Sequence, residues 1–195
     1  MFKPKLHPFP AIAAVLALLI ATPVSADCAK SGASWITLEL TSPLAAGSEA
    51  MEFIDISRDG CITTRYASYH VQAGVYQREL DASELQTLRA TLERTRVRRF
   101  DAKAVRAQTL AIEQAKAKAA GVASRHFIVA DGEILRLSID EGSGQAKTVI
   151  RYEAPAAHAK AQRTIEALNL LVEFSDHIQR LGANPAKRKI AEATP

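Results

Sequence analysis

The sequence predicts an α+β fold: an antiparallel sheet of two strand meanders, each followed by an amphipathic helix packed on one face. Three observations lead there. Period-two alternation recurs in short runs punctuated by Gly-containing turns, in residues 34–66 and again in residues 125–152. Each set of runs gives way to helical periodicity, in residues 81–95 and 155–181. Between the halves, alanine-rich residues 101–120 read as a further helix. The common layout, with Gly60 21 residues before Asp81 and Gly132 23 before Pro155, raises the expectation of an internal duplication.

The chain of 195 residues is 48% apolar, which excludes collagen-like, low-complexity and acidic disordered classes. One apolar run stands out, so a polytopic membrane protein is excluded too. Residues 1–26 carry the marks of a Sec-type signal peptide. Lys3 and Lys5 precede an eleven-residue apolar core at residues 11–21, Thr22-Pro23 breaks it, and Val24-Ser25-Ala26 offers a cleavage site before Asp27. An uncleaved anchor is one alternative, although eleven helical residues span only about 16 Å, roughly half a bilayer's hydrocarbon. Lipidation at Cys28 is another, and there Asp27 stands where a small residue is wanted. The reading is therefore a periplasmic or secreted protein with no stable membrane insertion after cleavage. Loss of Lys3 and Lys5 takes the formal charge from +4 to +2, too little to point to nucleic acid. The mature chain divides into a single α+β domain, residues 27–182, and a basic tail, residues 183–195, expected to be disordered.

Ser34–Thr41 alternates, with Ile36, Leu38 and Leu40 on one side and Trp35, Thr37 and Glu39 on the other. Residues 52–66 form a hairpin at Asp59-Gly60. A three-residue loop with Gly60 left-handed aligns Ile56 with Ile62, Ile54 with Thr64 and Glu52 with Tyr66, gathering the apolar residues on one face. A third run is interrupted at Gly74. Asp81 and Glu84 then make a capping box, Leu80 can staple onto Leu85, and Leu85, Leu88 and Leu92 form a buried stripe. Val97 and Phe100 tuck the helix exit against the sheet. In the next helix Ala104, Ala107, Ala111 and Ala115 share a face beside Val105 and Ile112, and Gly121 ends it. A second hairpin turns at Asp131-Gly132, and Thr148 to Tyr152 is another strand. Pro155 opens a last helix with Ala161, Ile165, Leu168, Leu171, Val172, Ile178 and Leu181 buried, stopped by Gly182 and Pro185.

This order of elements, from Trp35 to Leu181 and including the capped segment from Leu80 to Leu85, resembles a group of small secreted bacterial domains of unknown function. The chain departs from that pattern where residues 42–51 replace a Cys/Gly/Pro-containing stretch. The resemblance implies fold and compartment only.

The chemistry is defined mostly by what the motifs lack. His70, His126, His158 and His177 have no zinc-type spacing, and no HExxH or Cys-x-x-Cys occurs, so no metal or cofactor is expected. Neither a Gly-x-Ser-x-Gly elbow nor a phosphate-binding glycine motif is present, and Gly142-Ser143-Gly144 reads as a connector. No catalytic residue is assigned. Glu52, Asp55, Asp131, Glu133, Asp140 and Glu141 could in principle supply an acid and a base. Arg94, Arg96, Arg98 and Arg99 have two readings: cations supporting a helix C-terminus, or an anion site. Tyr66, Tyr69 and Tyr76 are strand-packing aromatics or a recognition patch. Cys28 and Cys61 are expected to form a disulfide in an oxidising compartment, worth at most about 3.8 kcal/mol in the chain-entropy model; a link between two molecules is the other possibility. The functional expectation is an exported, non-enzymatic binding or structural domain of the bacterial envelope, recognising a protein or envelope component. A small periplasmic hydrolase using carboxylates is the alternative.

If the signal is cleaved, protein recovered by osmotic shock will begin at Asp27 by N-terminal sequencing. An intact Met1, or an acyl group on Cys28, would overturn that expectation.

Overall fold

The computed structural model describes residues 28, 32–43, 50–122, 132–142 and 144–193. It has strands β1 (Ser34–Thr41), β2 (Glu52–Ser57), β3 (Cys61–Tyr66) and β4 (Gly74–Glu79), then helices α1 (Ala82–Thr95) and α2 (Ala102–Ala119). Strands β5 (Ile134–Ile139) and β6 (Thr148–Glu153), helices α3 (Pro155–Ala161) and α4 (Glu166–Ala183) and strand β7 (Arg188–Ala191) complete it. The fold is α+β, with a seven-stranded antiparallel sheet in the order β6-β5-β1-β2-β3-β4-β7. Residues 1–26, read as a signal peptide, and residues 125–131, read as the first part of a second hairpin, lie outside the described residues. Both edges of β5 are taken by β1 and β6.

The β2–β3 hairpin has the register that its apolar pattern requires: Ile56 faces Ile62, Ile54 faces Thr64 and Glu52 faces Tyr66. Gly60, at φ +92°, supplies the left-handed residue of the loop. One face of the sheet carries Ile36, Leu38, Ile54, Ile56, Ile62, Leu135, Leu137 and Ile139, all buried with Leu88 and Leu92 of α1 and Leu168, Leu171, Phe174 and Ile178 of α4. Each such side chain contributes about 1.5–3 kcal/mol of transfer free energy. The opposite face is polar and partly open. Thr37 donates to Asp55 at 3.2 Å, Gln77 donates to Thr63 at 3.1 Å, and Arg65 lies 5.1 Å over the Phe53 ring.

Trp35 departs from the expected alternation. Ser34 pairs with Ser57 and Ile36 with Ile56, so β1 carries one extra residue at Trp35. This bulge re-aims the indole from the open face to the helix-covered side, where it is 6% exposed.

The α1 capping box forms as its residues dictate: Asp81 Oδ1 accepts from Glu84 N–H at 2.8 Å, and Glu84 Oε2 accepts from Asp81 N–H at 3.0 Å. Gly121, at φ +66°, ends α2, with its N–H on Lys118 O and that of Val122 on Ala117 O. The alanine face of α2 buries little area. Ala104, Ala107, Ala111 and Ala115 are exposed, and Val105 and Thr109 are the buried positions, because larger side chains recover more area against β6 and Phe100.

The last helix is two helices. Residues 162–165 break it, which buries both Gln162 and Ile165 and leaves Ala161 exposed. Gly182 does not stop α4 but lies within it. A Cβ there would stand 2.7 Å from Ile54 Cδ1 and 3.0 Å from Thr64 Oγ1, so its bareness lets α4 approach β2 and β3 closely. The tail expected to be disordered contains β7, which pairs with β4 because that edge of the sheet offers free backbone groups. Cys28 and Cys61 sit at disulfide distance, their Cα atoms 5.7 Å apart. They tie residue 28 to the first residue of β3.

Arg78 reaches under the cap of α1. Its guanidinium binds both carboxylate oxygens of Glu84, at 2.7 and 3.0 Å, and donates to Leu181 O and Glu79 O. The Arg78 hydrogen bonds hold the Glu84 carboxyl below its ordinary range. A carboxyl depressed on folding adds stability above its unfolded pKa, and loses it as pH falls through the folded value. Glu84→Gln should therefore cost about 1–2 kcal/mol at neutral pH. Urea midpoints should show the deficit shrinking as pH is lowered past the normal Glu range, about 4.3.

Candidate functional site

The bulge that buries Trp35 also creates the floor of a cleft. Its walls are Arg58 from the β2–β3 loop, Arg89, Leu92 and Glu93 from α1, Arg98, and Glu141 from the β5–β6 loop, around a volume of about 320 Å³. Helical spacing puts Arg89, Leu92 and Glu93 on one face of α1. The β5–β6 loop is pinned against the floor, since Asp140 N–H donates to Trp35 O at 2.8 Å. Asp140 Oδ1 in turn accepts from Gly142 N–H at 2.8 Å.

The three arginines are held in different ways. Arg98 is neutralised by Glu93 at 2.6 Å and Glu141 at 2.5 Å. Arg58 donates to the backbone oxygen of Asp140, and its guanidinium passes so close to Gly142 that a Cβ there would lie 3.0 Å from it. Gly142, at φ +78°, meets both the backbone and the steric demand. Arg89 lies over the Trp35 ring, 5.9 Å from its centroid. Among the described residues, neither Arg58 nor Arg89 forms an ion pair. The indole N–H is buried and has no acceptor among those residues.

The arginine cluster read from the sequence does not converge. Arg94 pairs with Glu173 of α4, and Arg98 belongs to the Trp35 cleft. Arg96, the left-handed C-cap of α1 at φ 50°, and Arg99 line a separate groove of about 230 Å³ with Phe100, Glu166 and Leu170. Sequence reasoning missed Trp35, Arg58 and Arg89. No local motif could join them, because they come from a bulge, a hairpin loop and a helix.

The acidic residues also disperse. Asp55 accepts from Ser34 and Thr37 on the open face, Asp140 closes its own loop, and Glu141 binds Arg98. Asp131 lies outside the described residues. Glu133, at one end of the sheet, lies within electrostatic reach of Glu52 and of Asp176 of α4. Burial raises the Glu133 carboxyl, helped by the charges of Asp176 and Glu52, and burial raises Asp176 as well. His70 stacks on Tyr66 with ring centroids 4.7 Å apart, while His158 and His177 are pushed down by burial. His126 lies outside the described residues. Among the described residues, no three His, Cys, Asp or Glu side chains gather as a metal site, and no helix is long and apolar enough to cross a membrane.

The chain matches no protein-family model, no curated protein and no solved structure.

Floor and rim should respond differently to mutation. Trp35→Ala will lose about 3 kcal/mol in urea denaturation, as a buried aromatic does. Arg58→Ala and Arg89→Ala, at exposed positions, will each stay within about 0.5 kcal/mol of the parent.

Proposed function

We propose that this chain is an exported, non-enzymatic binding domain of the bacterial envelope that recognises a protein or envelope component through the Trp35 cleft. One observation carries the reading: Arg58 and Arg89 stand without carboxylate partners among the described residues, beside a buried indole, in a single cleft. Such a wall offers planar donors to an anionic group and an apolar floor to whatever carries it. Glu93 and Glu141, already engaged by Arg98, leave the lining with one net positive charge. That balance suits a single carboxylate or a comparable anion, and disfavours a polyanion. The paired Cys28 and Cys61 support an oxidising compartment.

Of the described carboxylates read from the sequence for the hydrolase alternative, Glu133 is the one that burial raises, as a general acid requires. Asp176, which the sequence reading did not name, is raised by burial near it. Two experiments separate the readings. A photo-crosslinking residue in place of Arg89, in the full chain inside cells, should capture a discrete envelope partner. The adduct should disappear when Arg58→Ala is added. An adduct pattern unchanged by Arg58→Ala would overturn the cleft as the site. Turnover of ester, phosphate or glycoside substrates that is lost in Glu133→Gln would establish the hydrolase instead.

A further inference from the structure

At the far edge of the sheet the C-terminal segment is held by a cage. Tyr66 of β3 and Tyr76 of β4 meet edge to face, ring centroids 5.9 Å apart. The Lys187 ammonium lies 4.4 Å from the first ring centroid and 4.8 Å from the second. It donates to Tyr66 Oη at 2.9 Å and to Gln72 Oε1 at 3.4 Å. The Tyr66 hydroxyl also hydrogen-bonds Glu52, which accepts from Gln179 of α4 at 3.2 Å. Two electron-rich rings backed by a carboxylate form a site for an ammonium group.

The rest of the segment is weakly attached. Strand β7 has four residues, all exposed, and its register with β4 breaks between Val75 and Tyr76. Beneath it, β4 is bare at Gly74, where a Cβ would lie 2.9 Å from Ala191 O. This edge therefore accepts a crossing backbone closely, and the lysine supplies the anchor.

We propose that the β4 edge and the Tyr66–Tyr76 cage form a recognition site for an extended, lysine-bearing segment of a partner protein, with the chain's own residues 187–191 as the resident competitor. The incoming strand adds to β4 by main-chain pairing, and its lysine replaces Lys187 between the rings. The chemistry of the occupant is read from the tail that now fills the site. Charge selects in the same direction. Burial between the rings disfavours the Lys187 ammonium and the Glu52 carboxylate opposes that, so Glu52 is the charge that favours a cation here and repels an acidic segment. Because the tail is covalently attached, it competes at an effective concentration of order mM, and partner binding and tail release are one equilibrium. The proposal is independent of the Trp35 cleft.

The test uses the full mature chain and a fluorescein-labelled peptide copying residues 184–193. Lys187→Glu places a second carboxylate beside Glu52 and expels the tail. By fluorescence anisotropy the peptide should bind this variant at least tenfold more tightly than the parent. Gln at the peptide's position corresponding to Lys187 should weaken binding at least tenfold. Tyr76→Leu in the Lys187→Glu background, checked for folding by its melting curve, should weaken it at least fivefold. Equal affinity for the parent and Lys187→Glu, or for the Lys and Gln peptides, would overturn the proposal. A dimer of the parent chain in sedimentation, lost in Lys187→Glu, would make a second copy the occupant and overturn the assignment to a different partner.

Discussion

The guanidinium of Arg78 is the contact on which the arrangement of sheet and helices depends. It projects from β4 toward the helices, and its five N–H groups are spent on Glu84 at the start of α1, Leu181 O near the end of α4, and Glu79 O of its own strand. The neighbouring β4 and α1 and the sequence-distant α4 are thereby fixed at one point. The carbonyl of Leu181 would otherwise be an orphan of the helix terminus, and Glu84 would cap α1 with one of its oxygens alone. The arginine side chain is only 8% exposed, so removing either partner leaves a charge stranded in a poorly hydrated place.

With α1 and α4 so placed, the Trp35 cleft and the tyrosine cage fall at opposite ends of the helix-covered face. Trp35 and its arginines lie where β1 begins, and the tyrosine cage lies where β4 meets β7. They differ in sign as well as position. One end presents guanidinium groups over an indole, and the other presents carboxylates behind phenol rings. This polarity is invisible in the formal net charge of +4.

Local chemistry was legible in the sequence, and long-range chemistry was not. The Asp81–Glu84 box and the Gly60 loop are written in residues a few positions apart, so they could be read directly, register included. Trp35 was misplaced because a bulge is a property of the pairing between β1 and β2, and alternation within β1 alone cannot reveal it. Gly182 looked like a terminator because its neighbours Ile54 and Thr64 are more than 100 positions away. The four clustered arginines suggested one site because they are adjacent in sequence. A helix, a left-handed cap and a 3₁₀ turn at Val97–Arg99 point them in different directions. The tail was read as disordered because it is a terminus, but β7 pairs with β4 and Lys187 sits against the Tyr66 and Tyr76 rings.

The position of β1 has a kinetic meaning. It lies between β2, which follows within about a dozen residues, and β5, which begins only at Ile134. A chain made from its N-terminus can form the β1-to-β4 meander early, yet the other edge of β1 stays open until β5 has been synthesised. Closing that loop carries a large entropic cost before any contact offsets it. The centre of the sheet is thus completed late, and until then the backbone groups along one edge of β1 are open to pairing with other copies of the chain.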